Sequence, residues 1–135
     1  MIDLVSYILL ESKQPNGFVI LKPGFTDYEE EFSSLLKLNG WKIIDSKTKT
    51  LSSKQAHELY SMHEDKSFYQ TLCDYMSSGE CICMTVYKNT HDPIKDMDNF
   101  KDKIRAEWGK DDMKNAMHSS DSPENVLRES KICMK

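Results

Sequence analysis

The segment Asn115–Ser122 holds the side chains best suited to chemistry: a histidine, an aspartate and three serines. It lies between a predicted strand and a predicted helix, where anions bind and nucleophiles are exposed. His118 in such a place can act as a general base, a metal ligand or a nucleophile. An alternative stays open, because Ser120, Asp121 and Ser122 are also suited to cap a helix and to satisfy His118 themselves.

Glu129 lies about two helical turns into the last predicted helix. If that helix folds back beside the preceding strand, the Glu129 carboxylate can bond one ring nitrogen of His118. Such a partner fixes the tautomer of the imidazole and leaves the other nitrogen free to attack. The alternative is that Glu129 is a solvated surface residue.

Two cations stand out by their positions. Lys22 ends the first predicted strand directly before a proline, where a lysine is well placed for a phosphate or a hydroxyl. Arg105 lies near apolar residues and offers a bidentate fork for phosphate. The alternatives are an edge lysine whose stem covers apolar surface, and a surface ion pair of Arg105 with Glu107 or Asp102.

Tyr60 and Phe68 are placed on two successive predicted helices. Aromatic rings that face outward across a helical hairpin can stack on a nucleobase, although core packing is the alternative for each ring. His57, His63 and His91 have no metal-ligand spacing, so they receive no role.

Hydrophobic periodicity predicts the elements that position these residues. The predicted strands are Phe18–Leu21, Trp41–Ile44, Cys81–Tyr87 and Met113–Met117. With the helices between them they form an α+β fold, a ferredoxin-like βαββαβ core with an inserted helical pair. We expect a four-stranded antiparallel sheet with helices packed on it, an N-terminal extension over residues 1–17 and one domain over residues 18–135.

Polar residues mark where several of the helices begin. Thr26 has the spacing of a capping box with Glu29. Asp92 and Ser122 are each followed by proline, the pattern of an N-cap before the first helical residue. The long helix after Asp92 is predicted to break before Ile104.

Bulk properties limit the class of protein. The chain has 135 residues and a net charge of −4, which gives no reason to expect general nucleic-acid binding. No apolar run approaches the length of a membrane span. The four cysteines fit neither a disulfide framework nor a zinc pattern, so we expect small buried hydrophobes, with a redox or metal role as the alternative. Unpaired cysteines imply the cytoplasm.

Four motifs in order resemble the nucleoside diphosphate kinase family over roughly residues 18 to 130. Asn115–Ser122 is similar to the family signature Asn-x-x-His-Gly-Ser-Asp-Ser. Phe68 followed by Tyr75–Gly79 is similar to the run Phe…Tyr-Met-x-Ser-Gly. Phe18–Pro23 resembles the first strand and its Lys-Pro-Asp, and Ile104-Arg105 with the downstream asparagine resembles a further element.

The resemblance implies an enzyme that transfers the γ-phosphate of a nucleoside triphosphate to a nucleoside diphosphate. The implied mechanism is ping-pong through phospho-His118, oriented by Glu129, with Mg²⁺ bound through the nucleotide phosphates. Tyr60 resembles the tyrosine close to the histidine, and Ser120 the serine that bonds the orienting acid. The implied nucleotide-binding residues are Lys22, Phe68, Leu72, Arg105 and Asn115, with Lys22 also among the catalytic residues.

The chain also departs from the family pattern. Ser119 stands in place of glycine, and Gly24 in place of aspartate. Between Tyr87 and Ile104 the chain is shorter by roughly eight residues, a stretch that normally supplies a second phosphate-binding arginine, a threonine and contacts between trimer neighbours. Lys95 is the nearest cation there.

These departures, with the early end after Glu129, favour a dimer over the family hexamer. They suggest a compact, divergent member with a viral or phage look. The alternative function is a catalytically weak nucleotide-binding relative that serves as an interaction or regulatory module.

Overall fold

A computed structural model describes residues 14–135 of the chain. Residues 1–13, most of the expected N-terminal extension, lie outside the described residues. The strands are β1 (Gly17–Leu21), β2 (Lys42–Lys49), β3 (Cys81–Tyr87) and β4 (Met117–Ser119). The α-helices are α1 (Glu29–Leu38), α2 (Ser53–Leu59), α3 (Tyr69–Met76), α4 (Pro93–Trp108) and α5 (Pro123–Cys133), with 3-10 turns at Thr26–Tyr28 and Ser61–His63.

The four strands form one antiparallel sheet in the order β2-β3-β1-β4. This order, with β1 in the middle and helices in the connections, is that of the ferredoxin-like α+β fold. The predicted fold class is therefore confirmed. The pairing of β1 with β4 sets Ile20 opposite His118.

Both faces of the sheet are covered at β1, where alternate residues enter two different cores. Val19 and Leu21 pack with α1 and α4 on one face. Phe18 and Ile20 pack with α2, α3 and α5 on the other. His118 shares the second face with its partner Ile20, so the sheet register points it toward α5.

The last strand begins later than the sequence indicates. The predicted strand Met113–Met117 is wrong, because the Asp111 carboxylate accepts bonds from the backbone N–H groups of Met113 and Lys114 at 2.9 and 2.6 Å. These bonds hold a tight turn. Ala116 then adopts a φ of 83°, a left-handed conformation outside the region of regular strands. Pairing with β1 therefore starts only at Met117.

Two other predicted boundaries also differ. Strand β2 continues past Ile44 to Lys49, because it is an edge strand whose polar side chains face solvent and need no apolar pattern. The predicted break before Ile104 is absent, and α4 runs unbroken to Trp108.

The helix starts are predicted well at the two proline sites. Asp92 and Ser122 each accept a bond from the backbone three residues on, at 3.2 and 3.1 Å, and proline follows both. The capping box predicted at Thr26 is wrong, because Thr26 begins a 3-10 turn without a side-chain cap. A capping box forms instead between Ser52 and Gln55.

All four cysteines are buried with free thiols, as expected. Hydrogen bonding to Cys133, together with burial, raises the pKa of the Cys83 thiol to about 12, so it is not a reactive nucleophile. Within residues 14–135, no helix is long and apolar enough to cross a membrane.

Candidate active site

A contact between the half-buried His118 and the buried Glu129 joins β4 to α5. His118 Nε2 lies 2.6 Å from Glu129 Oε1, and the Ser120 hydroxyl donates to the same oxygen at 2.8 Å. Arg128 Nη2 lies 3.4 Å from the other carboxylate oxygen. Glu129 is only 1% exposed, so these donors replace the water that a buried carboxylate would otherwise require. The solvated alternative for Glu129 is therefore wrong.

The surroundings of His118 favour the neutral imidazole. Burial lowers the pKa of His118, and the bond to Glu129 opposes that shift without reversing it. A neutral ring that contacts a carboxylate through Nε2 carries its hydrogen there and donates it. The lone pair is then on Nδ1, which has no hydrogen-bond partner within residues 14–135. The ring is steadied by Tyr60, whose edge-on ring centroid is 5.5 Å away.

Lys22 lies at the end of β1 and is 4% exposed. Its Nζ donates to Asn115 Oδ1 at 2.8 Å and to the Met113 carbonyl at 3.2 Å. Burial, together with the charges of Arg105 and Lys101, lowers the pKa of Lys22 to about 7. A buried ammonium with only neutral acceptors is poised to bind an anion.

Local backbone geometry places Lys22 at this point. Pro23 and Gly24 form a turn closed by a 3.0 Å bond from Phe25 N–H to the Lys22 carbonyl. The third residue of such a turn needs a positive φ, and Gly24 has a φ of 91°. The Tyr75 hydroxyl donates to the Pro23 carbonyl and ties the turn to α3.

Arg105 reaches from α4 toward β4. Its Nε and Nη2 donate to the Met117 carbonyl at 3.1 and 3.0 Å, one residue before His118. These bonds use only part of the guanidinium donor set, so N–H groups remain for a ligand. The alternative, a surface ion pair of Arg105 with Glu107 or Asp102, is therefore wrong.

A cavity of about 500 Å³ lies next to Tyr60, and neither His118 nor Glu129 is among the residues that line it. It brings together every residue expected to bind nucleotide: Lys22, Phe68, Leu72, Arg105 and Asn115. Tyr60 lines it too and so connects it to His118. Phe68 is 45% exposed, which leaves a ring face for stacking.

The prediction that Tyr60 and Phe68 lie on helices is wrong. Helix α2 ends at Leu59 and α3 begins at Tyr69, so both rings project from the ends of the connection between these helices.

The sequence reasoning also missed residues of the site. His63 lines the cavity with its ring 5.5 Å from Phe68, and Asp112 and Met113 lie there too. Helical spacing does not predict the contact of Arg128 with Glu129, because adjacent residues on a helix point to different faces. Only its neighbouring position in the chain could have indicated the contact.

Comparisons with known proteins agree on one family. The family model for nucleoside diphosphate kinase matches residues 16–135. The nucleoside diphosphate kinase of Thermosipho africanus is 36% identical over 125 residues, which is 85% of each chain. That of Staphylothermus marinus is 30% identical over 78% of this chain and 80% of its own. The solved nucleoside diphosphate kinase of Aquifex aeolicus superimposes with a TM-score of 0.78 at 27% identity, covering 86% of this chain and 92% of that one.

The chain belongs to the nucleoside diphosphate kinase family. It transfers phosphate between nucleotides, a reaction that generally needs a divalent cation, and its substrates are nucleotides. The alternative of a weak regulatory module is not favoured.

Proposed function

We propose that His118 carries the phosphate during transfer between nucleotides. The Nδ1 lone pair attacks the γ-phosphorus of a nucleoside triphosphate as the bond to the bridging β-phosphate oxygen breaks. The diphosphate leaves with that electron pair. A second diphosphate then attacks the phosphohistidine through its terminal oxygen and restores Nδ1. The observation that supports this is the 2.6 Å contact from Nε2 to Glu129, which leaves Nδ1 as the nucleophile.

The other site residues follow from the shape of the cavity. Lys22, Arg105 and Asn115 supply donors for the phosphates and ribose hydroxyls, since they converge near the backbone that leads into β4. Phe68 and Leu72 present the apolar surface for the base. Stacking accepts any base, because each has a π-face. Tyr60 packs against His118, and Ser120 holds Glu129.

We assign Mg²⁺ as the divalent ion and expect it to arrive on the nucleotide phosphates. Within the described residues no group of three or more histidine, cysteine or acidic side chains could hold a metal. Mg²⁺ does not need such a group, because it keeps several waters and binds mainly through substrate phosphates. The ion would neutralise charge on the phosphate oxygens during transfer.

We further propose a cytoplasmic homodimer with no membrane or specific nucleic-acid partner. Buried free thiols support a reducing compartment. Residues 18–135 would form the catalytic domain and residues 1–17 an N-terminal extension.

The test is labelling of the full chain with ATP that carries a radioactive γ-phosphate. We expect acid-labile, base-stable label on the wild type, released by ADP, and none on His118→Gln, whose amide keeps a donor toward Glu129. His63→Gln is the matched control, since His63 lines the cavity but lacks the carboxylate partner. Label retained by His118→Gln would overturn the proposal.

A further inference from the structure

Helix α4 carries four cations that differ in where they face. Lys95 and Lys103 are exposed to solvent, whereas Lys101 and Arg105 are partly buried. Lys101 and Arg105 are four residues apart, so they lie one above the other on the same face of the helix. The Lys101 side chain is only 17% exposed, although a lysine on a surface helix is normally solvated.

Burial is the main cause of the lowered pKa values of Lys22 and His118, and the charge of Lys101 adds a smaller lowering to both. The Lys101 ammonium therefore lies within electrostatic range of both groups. Lys95, the nearest cation in the shortened stretch, is exposed to solvent. Lys101 lies one helical turn before Arg105, whose guanidinium contacts the Met117 carbonyl of β4.

Within the described residues, none of Lys22, Lys101 and Arg105 is paired with a buried carboxylate. Lys22 and Arg105 donate to neutral oxygens, and Lys101 pairs at 3.4 Å with Asp98, whose side chain is 44% exposed. An ion pair with one partner this exposed is partly screened by water and therefore weak. Three convergent, partly desolvated cations favour a ligand with several negative charges close together.

We propose that Lys101 is a third phosphate-binding cation, in the role of the arginine that the shortened chain lacks. The inference rests on the proposed function and names a further residue for the same site. On binding, the Lys101 ammonium exchanges Asp98 for oxygens of the β- and γ-phosphates. The unbroken course of α4 makes this possible, because it keeps Lys101 in register with Arg105.

The experiment compares Lys101→Met with Lys103→Met in the full chain, titrated with Mg²⁺ and ADP or ATP, and with AMP and adenosine. Both variants remove one positive charge from α4 and keep an apolar stem. We expect Lys101→Met to raise the Kd for ADP and ATP by about tenfold to a hundredfold, the range for one charge-assisted bond. The effect on adenosine should be within twofold, as should every effect of Lys103→Met.

Lys101→Arg separates a phosphate contact from a packing role, because it restores a cation of similar length. Recovery of ADP affinity in Lys101→Arg supports the contact. Equal weakening of ADP and adenosine by Lys101→Met, or equal Kd values in the Lys101 and Lys103 variants, would overturn it. If Lys101→Met does not fold, as shown by loss of its thermal transition, Lys101→Arg and Lys101→Gln decide the question. The criteria stay the same: the effect on ADP compared with adenosine, and the effect compared with that of Lys103→Met. Absence of phosphohistidine in the wild type would defeat the proposed function but not these Kd comparisons.

Discussion

The position of the His118 ring depends on one buried carboxylate. Glu129 accepts from His118 and Ser120 through one oxygen, while Arg128 lies near the other. A carboxylate stabilises the charge that develops on the ring as Nδ1 gains a phosphoryl group. An amide in its place would accept one bond but provide no charge.

Glu129→Gln should therefore slow phosphorylation of His118 by about ten- to ten-thousand-fold without abolishing it. Single-turnover quench-flow with excess enzyme measures this step. Ser120→Ala is the control, because it removes a neutral donor and leaves the carboxylate facing the ring, so a smaller loss is expected. Wild-type single-turnover rates in Glu129→Gln would refute the orienting role.

Lys22 gives the site a pH dependence. Its pKa is about 7 in the folded protein, below the ordinary lysine value of 10.5, because the ammonium is buried. Between these two values the unfolded chain holds more protons, so the free energy of unfolding should rise with pH across this window. Below pH 7 both states are protonated and the cost of the buried charge is fully present.

Nucleotide binding should reverse this shift, since phosphates beside Lys22 favour its charged form. At about pH 8 we expect ADP and Mg²⁺ to bind with uptake of protons. Calorimetry in two buffers with different ionisation enthalpies measures that uptake. Lys22→Met should remove most of it, and the same proton uptake in wild type and variant would assign the titration to another group.

At the scale of elements, the sequence predicted best where local chemistry decides the structure. Asp92-Pro93 and Ser122-Pro123 begin helices because their caps need only neighbouring residues. The start of β4 was wrong because the Asp111 turn and the left-handed Ala116 leave no periodic signal. The predicted break in α4 was wrong because a polar helix has too few apolar positions to show its full length.

The site could be predicted only in part for the same reason. Motif spacing identified His118 and Glu129, whose contact is 2.6 Å. Contacts made across the fold, such as Arg128 to Glu129, appear only once α5 lies against β4. The inward direction of Lys101 likewise depends on an unbroken α4, which the sequence did not indicate.

The turn that places Lys22 can be tested through Gly24. Its φ is 91° and no atom lies within 4 Å of an added Cβ, so substitution meets only backbone strain. Gly24→Ala should lower the free energy of unfolding by about 1 kcal/mol. The left-handed backbone destabilises the folded state when alanine adopts it, and the lower conformational entropy of the unfolded chain offsets part of this cost. Urea denaturation measures this.

Gly79→Ala is the matched control for that measurement. An added Cβ there would make only an ordinary contact with Pro23 at 3.9 Å, and φ is not in the left-handed region. The control should be neutral or slightly stabilising. Equal destabilisation by both substitutions would mean that Gly24 is not strained when it carries a side chain.

At the scale of the whole molecule, the shortened stretch is taken up by regular structure. Only residues 88–92 join β3 to α4, and a 3.3 Å ion pair of Lys88 with Asp96 holds this connection against the helix. Within the described chain, therefore, no loop projects between Tyr87 and Trp108. That loop is the part expected to form trimer contacts in the family.

We therefore expect a dimer rather than a hexamer. A stable interface buries about 800 Å² on each partner, and a chain that lacks a contact loop has less surface to bury around a threefold axis. Dimerisation needs one self-complementary patch and does not use that loop.

Sedimentation velocity at micromolar concentration, with and without ADP and Mg²⁺, should give twice the chain mass of 15.7 kDa. Glu107→Lys, an exposed charge reversal near the end of α4, is a control that should leave a dimer built elsewhere unchanged. A stable species of six chains would show that other surfaces replace the missing loop.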